Sequence, residues 1–248
     1  MKIIEQQIIC RNIPTYTNSK RRKPFNLIKI VFNYISDKKD NACLDELIKK
    51  GNDLATKVNA GAANNASLSR NQYRIKNNCI AGTIAEYAWK NYLNLDTEIV
   101  SETAFENVSS QIDLEIISNA KKIEVRSSFP RNGIEFAICH PIHQFDVIGP
   151  YTNNYKPVEI QKDFYVRTLF SFDSSLIIEK AKEDDFTVYL TGGVSWAMIV
   201  DDSIAIIKNF VPDDEIDASK LTTKSSYRVV PFDNALDTLE ISNLMKES

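Results

Sequence analysis

Residues Ser109–Arg131 read SSQIDLEIISNAKKIEVRSSFPR, two strand patterns folded about Asn119-Ala120. Side chains alternate across a strand, so Gln111, Asp113 and Glu115 share one face while Ile112, Leu114 and Ile116 take the other. In the second strand Lys122, Glu124 and Arg126 share a face, and Ile123 and Val125 point away. Antiparallel pairing across the tight turn puts the two polar faces on one side. Asp113 and Glu124 are then expected within bridging distance of one divalent cation. Paired carboxylates suit Mg²⁺ or Mn²⁺, which bind through one or two acids plus waters and substrate phosphate. The competing reading is a solvated hairpin whose Lys122, Glu124 and Arg126 form an ordinary charge ladder.

Upstream, Ser69–Leu93 has the strongest helical periodicity, with Ile80, Ile84, Ala88 and Tyr92 on one row and Ala81, Ala85, Trp89 and Leu93 on the next. Glu86 falls on the row Cys79, Gly82, Glu86, Trp89, Leu93, whose other members are apolar or small. A carboxylate on such a face is costly to bury unless it is paired or bound to metal. Gly82, one turn earlier, leaves room for another backbone or a ligand. A second helix is predicted over residues 41–58, a third over 174–183 and a terminal one over 236–245. Strands are predicted at 97–101, 111–118, 121–128, 134–140, 164–172, 187–190, 196–200, 204–210 and 227–230. Helices followed by a strand-rich body with an inserted helix give an α/β fold class, with a mixed α+β sheet. The expected organisation is a partly helical N-terminal extension, residues 1–65, before a catalytic-sized domain, residues 66–248.

The composition narrows the function classes. The chain has 248 residues, 43% hydrophobic and 25% charged, with a formal net charge of −3. Its 7 glycines include no Walker or dinucleotide fingerprint. Cys10, Cys43, Cys79 and Cys139 show no CxxC spacing and are read as reduced thiols of a cytoplasmic protein. The N-terminus is read as lacking a signal peptide, and no window reaches the ~20 apolar residues of a membrane span. The mild acidity argues against nonspecific coating of nucleic acid. It is compatible with an enzyme whose carboxylates lack their cations.

The order of a helix bearing Glu86, a strand bearing Asp113 and a strand reading Glu124-Val125-Arg126 resembles the PD-(D/E)XK nuclease superfamily, which includes many restriction endonucleases. The resemblance spans roughly residues 70–172 and includes the segment KDFYVRTLF, residues 162–170. It implies a restriction-endonuclease-like core, with helical N-terminal and strand-rich C-terminal extensions. It also implies a Mg²⁺-dependent endodeoxyribonuclease of restriction type, Mn²⁺ substituting, that hydrolyses phosphodiester bonds of double-stranded DNA as a homodimer. In that picture Asp113, Glu124 and the Val125 carbonyl bind the metal. Glu86 binds a second metal or orients a water, and Arg126 with Lys122 contacts the phosphate. The chain departs from the family pattern at Arg126, where lysine is usual. Arginine stays protonated, so it can hold phosphate but cannot act as a base. The alternative is therefore a nuclease-fold DNA-binding or interaction protein with weak or lost hydrolysis.

Other features carry less. Cys139-His140-Pro141-Ile142-His143 has no second cluster to complete a zinc site. His143 with Asp146 and a serine lacks a nucleophile elbow. Ser127 and Ser128 follow the acidic strand as possible phosphate donors. Arg70, Arg74 and Arg131 read as surface arginines or phosphate contacts. The loop over residues 149–157 reads as a packed or base-contacting loop, Gly192-Gly193 as a turn before a strand, and Asp213-Asp214-Glu215 as an exposed acidic loop.

Overall fold

The computed structural model describes residues 1–9, 24–57, 71–93, 112–140, 146–151, 160–210 and 225–247. Among them, six strands form a mixed sheet in the order β1-β2-β7-β6-β4-β3. These are β1 (Lys2–Ile8), β2 (Phe25–Phe32), β3 (Leu114–Ile116), β4 (Lys121–Ser128), β6 (Phe164–Leu169) and β7 (Phe186–Ser195). Only β4 and β6 run parallel; every other pairing is antiparallel. A second sheet, β5-β9-β8, joins β5 (Val147–Tyr151), β9 (Ser225–Val230) and β8 (Ile206–Phe210).

One face of the main sheet carries α1 (Lys38–Lys57) and α2 (Gln72–Leu93). The periodicity read in α2 is the buried one: Ile80, Ala81, Ile84, Ala85, Ala88 and Trp89 pack onto Ile123, Val125 and Val166 of the sheet. Trp89 is enclosed, and its indole N–H donates to Thr168 Oγ1 at 3.1 Å. The two helices cross closely at Gly51, where a Cβ would lie 2.6 Å from Ile80 Cα. Helix α6 (Thr238–Glu247) closes the same core through Ile241 and Met245. On the opposite face Tyr165, Leu169 and Val194 pack with α3 (Ile134–Cys139), α5 (Trp196–Val200) and residues of the smaller sheet.

Residues 1–65, expected as an extension, contribute β1, β2 and α1 to this same sheet and core. Two predicted strands are helices. Residues 134–140 form α3 because Ile134, Ala137 and Ile138 bury at helical spacing behind Gly133, which adopts φ +86°. Residues 196–200 form α5, a short apolar run that periodicity alone cannot separate from a strand. The predicted helix at 174–183 is a 3-10 turn, Ser174–Leu176, running into α4 (Ile177–Lys180). Gly192-Gly193 lies inside β7 rather than before it. There β7 carries one extra residue, so Thr191 and Gly192 (φ +76°) stand opposite Arg167 of β6. The strand predicted at 97–101 and the acidic loop at 213–215 lie outside the described residues. No described helix is long and apolar enough to cross a membrane.

Candidate functional site

The hairpin forms as its sequence predicts, with Leu114 opposite Ile123 and Ile116 opposite Lys121. Continued by one pair, this register places Asp113 opposite Glu124. At that step the Asp113 side chain replaces the backbone ladder: Val125 N–H donates to Asp113 Oδ2 at 2.7 Å. The carbonyl of a strand residue points to the same side as its N–H, so the Val125 carbonyl faces this same edge beyond β3. Asp113 and Glu124 are each buried, at 7% exposure.

Glu124 is held at both oxygens. Arg126 Nη2 lies 3.1 Å from Oε1 and Lys162 Nζ lies 3.1 Å from Oε2. Lys162 is 1% exposed, and its main-chain N–H donates to the Tyr165 hydroxyl at 3.2 Å. Tyr165 is Glu124's partner across the β4–β6 ladder, so the parallel pairing delivers Lys162 to the acid. Lys122 sits two residues before Glu124 on the same strand face. Its backbone is clamped by Asp163, whose carboxylate accepts from Lys122 N at 2.9 Å. The ammonium that reaches Glu124 is that of Lys162.

Glu86, on α2, belongs to the same electrostatic group. Burial raises its carboxyl well above the ordinary range, and the charges of Asp113 and then Glu124 raise it further, against a lowering by Lys50. Burial also pushes Asp113 up to about 7, with Glu124 adding to the rise; the Val125 N–H, Arg126 and Lys162 oppose it. The three predicted acids thus repel one another across one site. Among the described residues no group of three or more His, Cys, Asp and Glu side chains is gathered to metal-holding distance. The geometry is two adjacent carboxylates and a backbone carbonyl, with Glu86 close enough to be felt. That donor set fits a hard divalent cation that keeps several waters, and the mutual repulsion is what such a cation would relieve.

A second ionic group continues from the first. Arg167, buried in the middle of β6, donates to Ser128 Oγ at 2.6 Å and to the Asp146 main-chain carbonyl. Burial pushes Arg167 down to about 10, with the Arg126 charge adding to the drop and Asp146 opposing it. Asp146 also pairs with Lys208 of β8, which ties the main sheet to the smaller one. Ser128 is thereby engaged by Arg167, and Asp146 by the two basic residues.

The remaining candidates fall away from this centre. Cys139 is disulfide-bonded, which corrects the expectation of four reduced thiols and removes it as a metal ligand; Cys43 and Cys79 form no disulfide. His140 is buried and stacked on Phe136 at 4.6 Å. Arg74 and Arg131 both act on the acid of Asp173, holding it low behind the Ser175 hydrogen bonds. Cys10, His143, Arg70 and residues 152–157 of the predicted base-contacting loop lie outside the described residues.

Lys162 and Arg167 were not singled out from the sequence. The signal was present: KDFYVRTLF sets a lysine before, and an arginine within, a run whose six strand residues are all buried. A charge inside a fully buried strand needs a partner. Compared with known proteins, the chain matches no family model, no curated protein and no solved structure.

Proposed function

We propose that the chain is a Mg²⁺-dependent endodeoxyribonuclease of restriction type, with Mn²⁺ as a working substitute, acting on double-stranded DNA as a homodimer. The observation that carries the reading is the convergence of Asp113, Glu124 and the charge of Glu86 at one sheet edge, with cationic side chains on Glu124. Asp113, Glu124 and the Val125 carbonyl are the residues to hold the cation, and Glu86 orients a water or a second ion. When bound, the cation neutralises the phosphate and activates water for attack.

The chain's own groups bind and orient. Arg126 remains charged and holds the scissile phosphate as negative charge grows on it. Asp113, by accepting the Val125 N–H, keeps the two strands in the register that sets the acids side by side. Arg167, anchored on the Asp146 carbonyl, holds Ser128 at the end of β4. A homodimer supplies a second site, since one site cuts one strand. A second reading has one observation in its favour: Arg126, in place of the usual lysine, is already engaged by Glu124. On that reading the fold binds DNA with weak or lost hydrolysis.

Varied phage and plasmid DNAs incubated with the protein and Mg²⁺ or Mn²⁺, with EDTA and Glu124→Ala controls, decide between them. Discrete fragments that require the metal and vanish in Glu124→Ala are the expected result. Retained DNA binding without cleavage selects the second reading, and neither property overturns both.

A further inference from the structure

Lys162 occupies an unusual position for a lysine: it is 1% exposed and faces the central acid of the site. A buried ammonium is costly to keep charged unless partners offset the lost hydration, and Glu124 Oε2 at 3.1 Å is one of them. Arg126 takes the other oxygen. Both oxygens that a cation would use on Glu124 are therefore already engaged by cations of the chain itself.

The charges indicate what would displace them. Asp113 and Glu124 are adjacent across the hairpin and face Arg126 and Lys162, while Glu86 and Lys50 bear on them from the helices. A divalent cation adds two positive charges among these groups, and a phosphodiester, with its single negative charge, offsets one of them.

We propose that Lys162 is a built-in counter-ion: it holds Glu124 while the site is without a cation, and it yields Oε2 when a divalent cation enters. Cation and ammonium compete for one oxygen, so the free protein binds the cation weakly. A phosphodiester brings a negative charge to the displaced ammonium and to the cation together, so cation and phosphodiester each strengthen the binding of the other, as linkage requires. Lys162 is in this sense a positioning residue, acting through Glu124. The inference rests on reading the site as a cation site, but its test uses no DNA cleavage.

Mn²⁺ affinity is measured by the loss of the free-ion paramagnetic resonance signal, on wild type, Lys162→Gln and Lys162→Arg. Glutamine keeps a hydrogen-bond donor for Glu124 and removes the charge. Lys162→Gln is expected to bind Mn²⁺ about tenfold more tightly, the scale set by removing one nearby positive charge. Lys162→Arg stays at or below wild type. Dimethyl phosphate is expected to strengthen Mn²⁺ binding in wild type and to do so much less in Lys162→Gln. Equal or weaker binding by Lys162→Gln, or no binding by either protein, overturns the inference. A purely structural lysine would give the weaker binding.

If Lys162→Gln does not fold, wild type answers the same question. Reductive methylation of Lys162 read by mass spectrometry is expected to rise when Mn²⁺ and dimethyl phosphate are added, and an unchanged rate overturns the inference. Gain of Mn²⁺ affinity in a protein that cleaves no DNA supports the counter-ion and overturns the nuclease reading alone.

Discussion

The two faces of β4 are built from the same eight residues and obey different rules. Ile123 and Val125 lie against Ile84, Ala88 and Trp89 in an apolar core, where each contact is replaceable by another of similar volume. Glu124 and Arg126, one step along, lie among charges whose states depend on one another. Loss of a methylene on the first face costs a local amount. On the second face, loss of one charge alters every neighbour, because each buried ion is tolerated only through its partner.

The largest expected effect breaks the second face. Glu124→Ala removes the carboxylate that Lys162 and Arg126 share, and should lower stability by about 3–5 kcal/mol in urea unfolding. Replacing Glu124 and Lys162 together by leucine should cost clearly less than the sum of the single changes. Additive costs would mean that the two faces do not differ. On the apolar face Ile123→Ala is expected to cost about 2–4 kcal/mol through lost burial and the cavity left behind. Combined with Ile75→Ala, remote on α2 and itself enclosed, the costs should add.

The apolar face was legible in the sequence and the polar face only in part. Periodicity located α2, the alternation in residues 111–126 located the hairpin, and of the acids picked out at 86, 113 and 124, Asp113 and Glu124 both act on the charge of Glu86. What escaped is non-local. Lys162 reaches Glu124 only because β6 runs parallel to β4, a pairing that hairpin spacing cannot reveal. Strands β1 and β2 join the sheet through β7, more than 150 residues away, so the mixed pattern of residues 1–35 gave no sign of them. At α3 and α5 short apolar runs fit either period, and tertiary burial decided for helix.

A titration sharpens the contrast. Asp113 is pushed up to about 7 by burial and then by Glu124. The folded state keeps its proton where the unfolded chain, with an ordinary carboxyl near 4, has lost it. The stability tied to that proton is complete below pH about 4 and is lost as pH rises to about 7. Glu86 shifts in the same direction. Wild type should therefore lose thermal stability between pH 5 and 8 in chelator. Asp113→Asn, which keeps an oxygen for the Val125 N–H and carries no charge, should lose less over the same range. Identical slopes would remove Asp113 from the charge network. The smallest effect is expected at a solvent-exposed pair. Glu46 and Lys50 pair at 3.3 Å on the exposed side of α1, and Glu46→Ala should change stability by less than about 0.5 kcal/mol.

The most direct test of the account is whether its crowded acids serve a cation. Thermal unfolding at pH 8 is followed as Mg²⁺ or Mn²⁺ replaces chelator, for wild type and for Glu124→Gln. A cation bound only by the folded state raises the melting temperature in proportion to the logarithm of its concentration over its dissociation constant. Wild type is expected to gain several degrees, by about 2–3 kcal/mol near a hundredfold excess over that constant, and Glu124→Gln to gain little. No gain in wild type, or the same gain in both proteins, would contradict the assignment of Asp113 and Glu124 as a cation site.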